Sequence, residues 1–97
     1  MERITVEIDR EIIDLIPGFL ARKRADLGKI ATALGAKDFA AVAAIAHRIK
    51  GEGGAYGFDQ LTEMSKELER AAKAGSAAEA QKIAAQISEY IEAVEVV

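Results

Sequence analysis

DFAAVAAIAHRIKGEGGAYGF, residues 38–58, carries the single histidine of the chain, and its periodicity sets the reading of everything around it. Wound at about 100° per residue, the stretch gathers Phe39, Val42, Ile45, Ile49 and Tyr56 on one side, with Ala46 and Gly53 beneath them. That is the stripe of an amphipathic helix. His47 falls roughly 140° from its middle and is expected to face solvent. The residues that touch it on a helix stand three, four and seven positions away: Ala43, Ala44, Lys50, Gly51 and Gly54. Only one of these has a long side chain. Glycine inside a helix costs about 0.5–1 kcal/mol relative to alanine, so Gly51, Gly53 and Gly54 imply that something approaches this backbone closely. A lone histidine is most often a core residue or an idle surface residue. The core reading fails because His47 lies off the apolar stripe. The idle-surface reading leaves the small residues and the glycines unexplained.

Outward from this segment the chain reads as helices. Toward the N-terminus, Ile4, Val6 and Ile8 alternate with polar residues like a short strand, but no partner strand is evident. An extended arm or a lead-in to a helix is therefore expected. Asp9 is placed to cap a short helical segment containing Ile12, Ile13 and Ile16, and Pro17 kinks it or restarts a helix. Phe19, Leu20, Leu27, Ile30, Ala31 and Leu34 keep helical spacing to Gly35, the expected stop. Asp38 caps the histidine helix, which should run to about Tyr56. Asp59 is placed to cap a third helix through Leu61, Met64, Ser65, Leu68, Ala71 and Ala72, supported modestly by the Glu69–Lys73 pair, with Gly75 as its stop. Ser76-Ala77-Ala78-Glu79 has the form of a capping box before a fourth helix with Ala80, Ile83, Ala84, Ile87, Tyr90, Ile91 and Val94. Tyr56 and Tyr90 are expected at the core or its edge with hydroxyls reaching water.

Four amphipathic helices with short connections imply antiparallel neighbours. The expected fold is all-α, an antiparallel four-helix bundle with a short N-terminal helical segment or extended arm. Residues 1–97 form one domain, with 1–8 as the arm and 9–97 as the bundle. Ninety-seven residues make a small domain, near the lower range where a single apolar core suffices alone.

The composition excludes several functions. Without cysteine there is no disulfide, thiolate metal site or thiol chemistry. One histidine argues against a zinc or iron centre, so no metal or cofactor is expected. A net charge of −3 gives no reason to expect nucleic acid. Arg22, Lys23, Arg24 and Lys29 form the one basic cluster, read first as a solvated helix face and second as a guide for an acidic partner. No apolar run approaches a membrane span and no signal-peptide pattern precedes the domain, so a cytoplasmic location is expected. With the apolar stripes consumed by one core, so is a monomer. There is no Walker loop and no kinase glycine loop with its catalytic set. The chain is expected to bind no ATP and to be no enzyme in its own right.

The segment His47-Arg48-Ile49-Lys50-Gly51, followed by Gly54, Gly57-Phe58, Leu61 and Leu68-Glu69, resembles the histidine-containing phosphotransfer (HPt) family. The resemblance extends over nearly the whole chain. It departs from the usual pattern at Ile49, where leucine is common, and at Glu52, where a small residue is common. Ile49 conserves apolar volume, and Glu52 projects about 140° from His47, so neither departure disturbs the site. The resemblance implies that His47 accepts and donates a phosphoryl group through the ring nitrogen distal to the backbone. It implies partners too: response-regulator receiver domains and a histidine kinase or hybrid kinase. Receiver domains have carboxylate-rich active sites and bring their own Mg²⁺.

An imidazole is nucleophilic when neutral, which suits attack on a phosphorylated aspartate. Lys50, one turn along, is the expected stabiliser of charge on the transferring oxygens. Ala43, Ala44, Gly51 and Gly54 are the expected open docking surface. Arg48 stands where the helices of dimerising sensor kinases have an acidic residue, which argues against that class. Three alternatives to a relay carrier remain open on the sequence: a receiver-docking module without phosphotransfer, a purely structural bundle, and the phosphoryl-bearing domain of a chemotaxis-type kinase. The initial Met1 and the lack of a further domain lead us to expect a stand-alone protein.

Overall fold

The computed structural model describes residues 4–96. A strand β1 (Ile4–Val6) and a 3-10 turn (Ile13–Leu15) lead into α1 (Ile16–Gly35), followed by α2 (Phe39–Ala55), α3 (Asp59–Lys73), α4 (Ala77–Ala93) and a last strand β2 (Val94–Val96). The four helices form the antiparallel, all-α bundle that the periodicity predicts. Phe19, Ile30, Val42, Ile49, Phe58, Leu61, Leu68, Ile87 and Ile91 fill its interior. The Phe19 and Phe58 rings stack with centroids 5.3 Å apart, and Tyr56 leans on Phe19 at 4.4 Å.

The three interhelical connections are short because each is built in the same way. At the end of α1, α2 and α3 one residue turns left-handed: Lys37 (φ 57°), Gly57 (φ 85°) and Gly75 (φ 70°). In each case its N–H and the next one bond back to carbonyls of the last turn. Lys37 and Asp38 bond to Leu34 and Ala33, Gly57 and Phe58 to Gly54 and Gly53, Gly75 and Ser76 to Ala72 and Ala71. This satisfies carbonyls that a helix end otherwise leaves open. The stop of α1 is therefore Lys37 and not Gly35, which is still helical. Lysine pays a steric penalty there that glycine avoids. Lys37→Gly is expected to raise stability by about 0.5–1 kcal/mol, seen as roughly 3–6 °C in thermal unfolding. An unchanged or lower midpoint would show that the lysine is not strained.

Local chemistry at other helix ends differs from the sequence expectation. Asp38 does cap α2, accepting the Ala41 N–H at 3.1 Å. The N-cap of α3 is Phe58, with Asp59 in the first turn. Ser76 stands at the N-cap of α4 without a side-chain bond, and Glu79, which would complete a capping box, is paired instead with Arg70 of α3. That pair, and then Glu67, pushes the Arg70 guanidinium further into its charged form. Asp9 accepts the Glu11 N–H in a local turn before the 3-10 segment. Tyr90 is closed off from solvent, 2 % exposed. Burial, and secondarily Asp59, raises its hydroxyl pKa.

The N-terminal segment also departs from expectation. β1 does have a partner: it pairs in parallel with β2, Ile4 opposite Val94 and Val6 opposite Val96. Ile8 then enters the core, with its Cδ1 3.2 Å from where a Cβ on Gly57 would stand. The segment closes one end of the bundle instead of trailing from it.

Candidate functional site: the His47 face

α2 and α3 make the most extensive contact in the bundle, and the site lies along their seam. Their approach is fixed at Gly53. A Cβ there would come 2.8 Å from Thr62 Oγ1 and 3.3 Å from the Phe58 carbonyl. Thr62 also donates to the Lys50 carbonyl at 3.1 Å. What approaches the backbone at Gly53 is thus α3 itself. Gly54 is in ordinary contact range of Thr62, and Gly51 faces open space. Of the three glycines, only Gly53 owes its small size to packing inside the described chain; a Cβ at Gly51 or Gly54 would meet no obstruction there.

His47 projects from α2 with 68 % of its side chain exposed, as its angle to the apolar stripe requires. Ala44, Gly51 and Gly54 lie exposed around it. Ala43 is a correction: it is buried and belongs to the core cluster. α2 is covered by α1 on one flank and α3 on the other, so its apolar face is wider than the stripe of bulky residues.

The partner of the imidazole is Glu69 of α3, which sequence spacing did not assign to the site. Its Oε2 stands 3.1 Å from His47 Nδ1. The same carboxylate accepts Lys50 Nζ on Oε1 at 2.9 Å and is 3.1 Å from Lys73 Nζ on Oε2. Lys50 therefore does not stand alone beside the ring; it reaches across to α3. The Lys50 hydrogen bond, and then that of Lys73, lowers the Glu69 pKa from 4.5 to about 2. An ionised carboxylate can only accept, so Nδ1 carries the proton and donates it to Glu69. In the neutral ring Nε2, the nitrogen distal to the backbone, then presents its lone pair outward.

The sign of the acid response follows from this depressed value. Glu69 contributes stability that is fully present above its ordinary pKa of 4.5 and is lost as pH falls toward about 2. The stability gap between the wild type and Glu69→Gln is expected not to narrow between pH 7 and about 5. It should close progressively on acidification below that. A gap that closed already between pH 7 and 5 would contradict a carboxylate held so firmly ionised.

The other flank of α2 carries a second charge cluster. Lys23 of α1, which the basic run suggested was solvated, is 2 % exposed. Its Nζ lies 2.7 Å from Asp26 Oδ2 and 2.9 Å from Glu52 Oε1, while Arg48 reaches Asp26 Oδ1 at 2.5 Å and stands 3.6 Å from Glu52. Glu52 thus turns away from His47 toward α1. Arg22 and Lys29 are exposed at the rim, and Arg24 pairs with Glu92 of α4 at 3.0 Å. Among the described residues no three metal-ligating side chains come together, and no helix is long and apolar enough to cross a membrane.

Neither a curated protein nor a solved structure matches the chain. The family model described as Hpt domain matches residues 14–96, a span that begins within the 3-10 lead-in and takes in all four helices and the seam between His47 and Glu69. The chain therefore belongs to the Hpt domain family, whose members carry phosphoryl groups on histidine in phosphorelay signalling and do not phosphorylate themselves from ATP.

Proposed function

We propose that the chain is a phosphorelay carrier that takes a phosphoryl group onto His47 from a receiver-domain phosphoaspartate or a kinase and passes it to another receiver. The observation that carries this reading is the polarity of the imidazole: Nδ1 is tied to Glu69 at 3.1 Å while the ring stands exposed. The Nε2 lone pair attacks phosphorus in line. The N–P bond forms as the bond from phosphorus to the aspartyl oxygen breaks, and the receiver's carboxylate leaves with the electron pair. No proton has to move, because Nδ1 already carries its own. Glu69 then faces a ring that has become cationic, an ion pair that exists only after attack begins. Lys50, released in part from Glu69, offsets charge on the phosphoryl oxygens.

We assign the Mg²⁺ of the transfer to the receiver, whose acidic active site would close over the exposed Ala44, Gly51 and Gly54. Arg22, Lys29 and Arg48 on the α1 flank give that encounter an attractive field. We also place the carrier in the cytoplasm as a monomer. The test is to mix the protein with Mg²⁺ and a phosphorylated receiver domain and to look for acid-labile, base-stable phosphate on the chain. Transfer supports the carrier. A folded bundle that binds receivers but takes phosphate from neither receivers nor kinases would instead be a docking module.

A further inference from the structure

We propose that Lys73 is the second cation of the phosphohistidine site: once His47 is phosphorylated, its ammonium turns from Glu69 to the phosphoryl oxygens and, with Lys50, neutralises them. This rests on His47 being the phosphoryl-bearing residue. The geometry points to it because Glu69 is shared unequally. Lys50 has Oε1 to itself, whereas Lys73 and His47 Nδ1 meet on the one oxygen Oε2, both at 3.1 Å. The Lys73 ammonium is therefore within two hydrogen bonds of the ring. Its side chain is 67 % exposed against 32 % for Lys50, and among the described residues its one ionic partner is Glu69.

Charge counting gives the pair of lysines a purpose. Before phosphorylation the cluster holds two ammonium groups against one carboxylate and a neutral ring, an excess of one positive charge. Phosphorylation adds about two negative charges on oxygen and leaves one positive charge on the ring, so the cluster becomes neutral. With Lys50 alone it would end with a negative excess. A plain i,i+4 helix pair between Glu69 and Lys73 would be worth only about 0.2–0.5 kcal/mol and would take no notice of the phosphoryl group.

Lys73 is on this account a charge-supplying residue that the phosphorylated state reveals. It can be tested without a receiver. Phosphoramidate transfers its phosphoryl group to histidine: its P–N bond breaks, ammonia leaves with a proton from solvent, and the Nε2–P bond forms. The loaded wild type, Lys73→Gln, Lys73→Arg and Lys82→Gln, a control of equal charge change on α4, would be titrated by ³¹P NMR. The groups facing the phosphoryl group are His47 and Lys50 from α2 and Glu69 and Lys73 from α3. Loss of the Lys73 cation is expected to raise the proton affinity of the phosphoryl dianion about two- to ten-fold, shifting its titration to higher pH. Arginine should restore the wild-type curve, and Lys82→Gln should leave it in place. Superimposed curves for the wild type and Lys73→Gln would overturn the proposal, as would failure of phosphoramidate to load His47. Loading with the expected shift, but no transfer with any receiver, would refute the relay reading and leave the role of Lys73 standing.

Discussion

His47→Gln is expected to end phosphoryl uptake, lowering it at least about a thousand-fold, while the bundle stays folded. The magnitude follows from what is removed. Positioning and charge can accelerate only a reaction that has a nucleophile, and the chain has one histidine and no cysteine to replace it. The selectivity follows from where His47 sits. Its side chain is 68 % exposed and its single described polar partner is Glu69. Glutamine can still donate an amide N–H to that carboxylate, so the change in stability should stay within about 0.5 kcal/mol. Phosphate incorporation, far-UV circular dichroism and receiver binding, measured on one preparation, separate the possibilities. Lost incorporation with binding intact is the expected result. Incorporation that survived the substitution would place the phosphoryl group elsewhere and remove the basis of the relay reading.

The parts of this molecule that local periodicity governs were legible in the sequence. The bulk of each helix, the cap at Asp38, the stop at Gly75 and the outward direction of His47 all follow from residues within a turn or two. The parts that were not legible depend on how one helix is rotated against another. Glu69 meets His47 across 22 residues of chain, and helical spacing within α3 relates it to Lys73 but says nothing of α2. Its one sequence signal is Leu68-Glu69 in the motif resemblance, which marks a position without saying what the carboxylate meets. Lys23 was misread for a similar reason. A buried cation is tolerated only with counter-charges, and those come from Asp26 on its own helix and Glu52 on the next. The partner of β1 lies at the opposite end of the chain. The stop of α1 failed differently, since a lysine took the left-handed position that glycine usually holds.

The buried Lys23 carries the largest expected effect on stability, through its partner Asp26. Asp26→Ala is expected to destabilise the fold by about 3–5 kcal/mol, because a buried ion pair that loses one member leaves the other charge uncompensated in low dielectric. Domains of this kind have only about 5–15 kcal/mol in total, so the thermal midpoint should fall by roughly 12 °C or more. Asp26 is the hinge of the cluster: Lys23 from α1 and Arg48 from α2 both end on it, at 2.7 and 2.5 Å. Without it Lys23 keeps Glu52 alone, and Arg48 keeps only the longer contact with Glu52 at 3.6 Å. Removing both buried charges together, as Lys23→Met with Asp26→Leu, should cost much less than Asp26→Ala, since the desolvation penalty disappears with the charge. The order of the two urea midpoints is the deciding measurement. A double variant as unstable as Asp26→Ala would mean that the four groups hold α1 to α2 by attraction outright. The expected order would mean that this pair is retained for geometry instead. It keeps Arg48, the immediate neighbour of His47, at a set place beside the face that a receiver has to meet.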